Sequence, residues 1–188
     1  MNERPDALAA SNRALVVYAL VRRAYIEHVV NASTGDPQRL AQAEAARVEQ
    51  DHWLDDHGLR EHLTDVEARL LAAGSGTWSK EAVHDSLWRK ESLGVLLWAL
   101  QQLESIPPYG EEFAQEDLDK AITRSGSVEQ FRELGVLRSD DELAAAWREA
   151  DTWFAATEGA AGEDAALSSV AVERLKALDW LRGGAAPA

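Results

Sequence analysis

Apolar residues recur every three to four positions along most of the chain, and no run of β-branched or aromatic residues alternates with period two. That spacing gathers apolar side chains on one side of a helix and leaves strands without a signal, so the pattern predicts an all-α protein. The expected architecture is a single-domain helical bundle of about six or seven helices around a long central helix at about 80–104. Boundary residues divide the pattern. A first helix is expected over 12–31 with Ser11 as its N-cap, because a serine oxygen can accept the free N–H groups of a first turn. A second starts near Pro37, where the missing N–H costs nothing, and stops at Gly58. Thr64 and Glu67 form a capping box before a short helix that ends at Gly74. Ser79 opens the long helix, which Pro107-Pro108 cannot continue. "SVEQ" (127–130) and "SDDE" (139–142) are two more capping boxes, the second leading a helix to about Thr157. "EGAAGEDAA" (158–166) reads as a loop, and a last helix over 169–181 stops at Gly183-Gly184. In domain terms the expectation is a flexible N-terminus at 1–11, one helical domain at 12–182 and a disordered tail at 183–188.

Two arginines interrupt the apolar faces. On the long helix that carries "WRKESLGVLLWAL" (88–100), Arg89 falls near the centre of the face made by Ser92, Leu93, Leu96, Ala99, Leu100 and Leu103. Glu91 lies about 200° further round, beside Leu87, Gly94 and Trp98, so the two charges cannot pair along the helix. Apolar residues on both sides predict a helix flanked by neighbours. Gly94 costs about 1 kcal/mol relative to alanine in mid-helix, which close approach of another helix can offset. On the first helix, Ala14, Leu15, Tyr18, Tyr25, Ile26 and Val29 form a face that contains Arg22, with His28 at its edge. Buried charges are normally paired, and Glu44, Asp51 and Asp179 are the acids placed on other apolar stripes. The functional alternative is that Arg22 and Arg89, with Tyr18, Tyr25 and His28, line a pocket for a small anion.

Composition narrows the partners. Asp plus Glu outnumber Lys plus Arg by 33 to 19 in 188 residues, a formal charge of −14. Such a field repels phosphate backbones and anionic lipid, so nucleic acid is not expected and a basic protein partner fits better than an acidic one. The apolar runs at 14–21 and 93–100 fall short of the ~20 residues a membrane helix needs, and no membrane association is expected. The absence of cysteine excludes disulfides, zinc fingers, iron–sulfur ligation and thiol catalysis, and suits a cytoplasmic protein. "DHWLDDHGLREH" (51–62) collects three histidines, but His52 and His57 are five apart, and His52 with Asp56 makes only two ligands; no metal is expected. The seven tryptophans read as packing residues. No phosphate-binding glycine loop or G-x-S-x-G element occurs, so no cofactor is expected.

The segments "RALVVYALVRRAYIEHV", "WLDDHGLREHLTDVEARLL" and "VAVERLKALDWLRG" occur in an order that resembles a bacterial family, domain of unknown function 4272. The most specific pieces are W-R-x-E-x-L-x-V-L-L-W-A-L, carried by Trp88, Arg89, Glu91 and Leu93 to Leu100, and E-R-x-x-A-L-x-W-L, carried by Glu173, Arg174, Ala177, Leu178, Trp180 and Leu181. The resemblance implies a helical domain without an assigned activity. The chain departs from it after Asp151, where Ala155, Thr157 and Glu158 replace an R-x-H-W-like element, and in its short "GGAAPA" ending. Arg89 and the Glu173-Arg174 pair remain as the positions of interest. The expectation for function is a cytoplasmic, non-catalytic module that binds a protein or a small anionic ligand. The alternative is a small enzyme of hydrolase type with a pocket around Arg22, Arg89 and His28.

Overall fold

A computed structural model describes residues 3–33, 36–157 and 165–184. Among them are eight α-helices and no strand, so the chain is all-α. The helices are α1 (Ala7–Ala32), α2 (Pro37–Asp56), α3 (Asp65–Ala72), α4 (Lys80–Ala99), α5 (Gln115–Thr123), α6 (Val128–Leu134), α7 (Asp140–Thr157) and α8 (Ala165–Leu181), with a 3-10 turn at Leu59–His62. None of the described helices is long and apolar enough to cross a membrane.

Most helix starts follow from capping chemistry. Asp36 accepts from the amides of Gln38 and Arg39 ahead of Pro37. Thr64 and Glu67 make the expected capping box, and Ser79 Oγ accepts from Ala82 N at 3.1 Å. Ser139 and Glu142 satisfy each other at the start of α7. The first helix differs from expectation. Asp6, not Ser11, caps it, with Ala9 N donating to Asp6 Oδ1 at 2.7 Å. Ser11 lies inside α1 and returns its hydroxyl to Ala7 O at 2.8 Å, the local bond that lets serine sit in a helix interior.

The ends diverge more. Helix α4 stops at Ala99, short of the expected 104, because the chain turns left-handed at Gln101, φ 60°. Gln101 N donates to Trp98 O at 3.0 Å and Gln102 N to Leu97 O at 2.8 Å, the two bonds of a Schellman cap. The same pair of bonds closes α8 at Gly183, as Gly183-Gly184 led us to expect. Helix α5 was not foreseen between Pro108 and Ser127, and α8 starts at Ala165, so 165–166 are helical and not loop. The remainder of that expected loop, 158–164, lies outside the described residues, as does most of the expected tail.

The chain divides into two compact units, one of residues 15–89 and one of residues 1–14 with 90–187. In the first, Leu15 to Val21 are buried all round α1, and Leu54, Leu59, Leu71 and Val83 are buried in the same unit. In the second, all ten residues from Glu91 to Leu100 on α4 are buried, which is the two-sided helix the sequence implied. Helix α7 packs on α8 there, with Leu143, Ala150, Val170, Ala171 and Leu178 inside.

Candidate functional site

The sequence-predicted anion pocket does not assemble around its arginines. Arg22 and His28 are exposed, Tyr25 is 38% exposed, and Arg22 stacks over the largely buried Tyr18 at 5.6 Å. The buried side of α1's second half is instead Arg23, Ala24, Glu27 and Val30. Arg23 and Glu27, one turn apart, meet at 2.7 Å and neutralise each other inside the unit. Arg23 Nη2 then donates to Ala73 O at 2.7 Å and Gly74 O at 3.0 Å, while Glu27 Oε2 accepts from the amides of Gly76 and Trp78. Burial lowers the Arg23 pKa and the Glu27 carboxylate opposes that shift, as expected of a desolvated but paired guanidinium.

Arg89 is neutralised by none of the acids expected for it. Its Nη1 donates to Glu67 Oε1 at 3.0 Å, and Glu67 Oε2 accepts from Thr64 N at 2.9 Å. One fully buried carboxylate therefore serves both as the capping-box acid of α3 and as the counter-ion of Arg89. Glu44 and Asp51 both go to Arg47, and Asp179 accepts from Trp147 Nε1 at 2.6 Å. Hydrogen bonds from Arg47 and then Ser75 hold the Glu44 carboxyl at about 2. In the histidine-rich stretch, Asp55 is taken by Arg60 and His57 packs edge-on against Trp53 at 5.7 Å. No group of three metal-ligating side chains occurs among the described residues.

In the other unit, consecutive residues of α4 meet consecutive residues of α8. Arg174 Nε donates to Glu91 Oε2 at 2.8 Å, both side chains fully buried, and Ser92 Oγ lies 2.8 Å from Glu173 Oε2. The two motif pieces that carry the family resemblance are thus joined. Arg174 spends its other donors on Pro107 O and Glu111 O, each at 2.7 Å, and its guanidinium faces the rings of Tyr109 at 5.1 Å and Phe113 at 5.0 Å. Glu91 Oε1 accepts from Phe113 N at 3.0 Å. Burial pushes the Glu91 carboxyl up, with Arg174 opposing, and pushes the Tyr109 hydroxyl up as well. Gly94 is required because a Cβ there would stand 2.3 Å from the Phe113 ring. The close neighbour anticipated for Gly94 is this loop aromatic, not a helix.

The pinned segment after α4 forms a wall of a cavity of about 370 Å3. Leu103, Pro107, Phe113 and Ala121 give it an apolar lining, and Lys120 of α5 and Arg124 at that helix's C-cap, both exposed, line it as well. Glu104 and Asp117 also line it. Lys120 is exposed and paired with Glu116, and Arg124 Nη2 donates to Gln102 O at 3.0 Å. The left-handed Gln101 immediately precedes the lining residue Gln102, so backbone strain lies next to the cavity. A size of this order suits a small ligand, and two cations one turn apart with an apolar lining suit an anion with an apolar body. A second cavity, about 350 Å3, is lined by Tyr25, Ile26, Val29, Arg39, Gln42 and Ala43. It takes Tyr25 from the predicted set but neither Arg22 nor His28.

Sequence reasoning missed Lys120 and Arg124 because it missed α5. The signal was present: Leu118, Ala121 and Ile122 are the buried stripe at three and four residues' spacing, but Ala114 offers no capping side chain to announce it.

The sequence matches the family described as Domain of unknown function (DUF4272) over residues 9–186, and the chain belongs to that family. No curated protein and no solved structure matches it.

Proposed function

We propose that this DUF4272 member is a cytoplasmic, non-catalytic binding module whose ligand is a small carboxylate with a compact apolar body, seated in the cavity after α4. The observation that carries this reading is that Lys120 and Arg124 line the same cavity as Phe113 and Pro107. The carboxylate is held by the two cations, and the apolar body covers the ring of Phe113. Charge-assisted bonds of this kind are stronger than neutral ones, although an exposed rim moderates them. The buried Glu91–Arg174 pair touches no ligand; it positions the wall by holding Pro107, Glu111 and Phe113.

Thermal unfolding with millimolar benzoate or phenylacetate tests this directly, since a ligand that binds only the folded state raises Tm by mass action. Benzoate is expected to raise Tm and neutral benzamide to leave it unchanged. In Lys120→Gln, whose side chain makes only a surface ion pair, the benzoate response should fall while the ligand-free Tm stays. An unchanged benzoate response in that variant, or no response in the native protein, contradicts the assignment.

A further inference from the structure

Three large apolar side chains in the unit of residues 1–14 and 90–187 stand more than half exposed: Leu8 at 53%, Leu134 at 59% and Val136 at 59%. They belong to one patch. Gly135 sits so close to Ser11 that a Cβ on it would be 2.6 Å from the serine Oγ, and Leu8 is one helical turn before Ser11 on the same side of α1. Arg132 Nε donates to Asn12 Oδ1 at 2.8 Å, fixing the end of α6 against the same turn of α1. Leu134 and Val136 flank Gly135, which places their backbone beside the part of α1 that carries Leu8. Clustered exposure of this kind marks an interaction surface, whereas single exposed leucines do not.

Exposed acids lie within five residues of these positions along the chain and supply an acidic border. Glu3, Glu133 and Asp141 are exposed, and no ion pair is seen for them among the described residues. The nearby arginines are committed: Arg4 to Asp140, and Arg138 to Glu142 and the carbonyls of Leu103 and Glu104. A second copy of a chain carrying −14 would bring like charge to this border. We infer that the Leu8–Leu134–Val136 patch docks a basic amphipathic segment of another protein, its apolar side chains on the patch and its lysines or arginines on the acidic border. Leu8, Leu134 and Val136 are not among the residues lining the ligand cavity, and the test of this surface stands apart from that of the ligand.

The probes are two synthetic helical peptides of equal positive charge, one alternating lysine with leucine faces and one with serine in place of leucine. Calorimetric titration should show the lysine–leucine peptide binding at least tenfold more tightly than the lysine–serine peptide, with affinity falling as salt rises. Leu134→Ser/Val136→Ser, at positions already mostly in water, should keep the fold and weaken the lysine–leucine peptide about tenfold. Equal binding of the two peptides, or an unaltered affinity in the double variant, would mean bulk charge attraction only and would overturn the inference. Sedimentation of the native chain as a dimer that the double variant disperses would also overturn it, by making a second copy the occupant.

Discussion

At the scale of single residues, the buried charges explain why periodicity located some side chains and misplaced others. Arg22 and Arg23 are neighbours, and the sequence favoured Arg22 because its side of α1 carries Tyr25, Ile26 and Val29. The structure buries Arg23 instead, since Glu27 one turn later neutralises it; a charged pair that cancels internally reads as a solvent face in any hydropathy pattern. Arg89 and Arg174 were legible as residues of interest, yet their partners were not, because Glu67 and Glu91 lie in other segments and pairing across segments has no sequence period. Arg89→Ala removes the guanidinium that faces the fully buried Glu67 carboxylate and should cost about 3 to 5 kcal/mol in denaturant unfolding. Glu91→Leu/Arg174→Met should be much less damaging than Arg174→Met alone, since replacing both partners leaves no uncompensated charge. A double variant no more stable than the single one would show that the pair's worth lies in its loop contacts. Glu44 supplies a pH test. Its folded carboxyl, at about 2 against an ordinary 4.5, contributes stability that is complete above 4.5 and lost as pH falls toward 2. Glu44→Gln should flatten that acid limb in urea midpoints measured from pH 5 to 2. The change stays small, below about 1 kcal/mol, because the group is half exposed to screening solvent.

At the scale of elements, starts were easier to read than stops. Asp36, Thr64, Ser79, Ser127 and Ser139 announce their helices through side-chain oxygens that the sequence displays. The stop of α4 is a Schellman cap built on Gln101, a residue type that gives no such notice. A non-glycine left-handed residue costs roughly 1 to 2 kcal/mol, of which glycine's greater chain entropy returns part. Gln101→Gly should therefore stabilise the protein by about 0.5 to 1 kcal/mol; a loss of stability would mean that the glutamine side chain contributes more than its backbone costs. Gly94→Ala tests the opposite case. Helix propensity alone would favour the alanine by about 1 kcal/mol, but its Cβ would overlap the Phe113 ring, and overpacking of a buried site costs about 1 to 3 kcal/mol. A net fall in Tm is expected, and a rise would contradict the close packing of Phe113 on α4.

At the scale of the whole molecule, apolar spacing predicted an all-α chain, composition made it acidic, and motif order pointed to the family that its sequence match shows. What composition could not supply was the cavity proposed as the ligand site. That cavity depends on a loop being pinned: Glu91 and Arg174 hold Pro107, Glu111 and Phe113 to α4 and α8, and Pro107 and Phe113 line the cavity together with Lys120 and Arg124. The most direct measurement is the shift of backbone amide resonances in a titration with benzoate. The account predicts saturable shifts confined to residues 102–124, with Gln102, Phe113 and Arg124 among the largest. Shifts centred on Tyr25, Val29 and Ala43, or none at all, would contradict it.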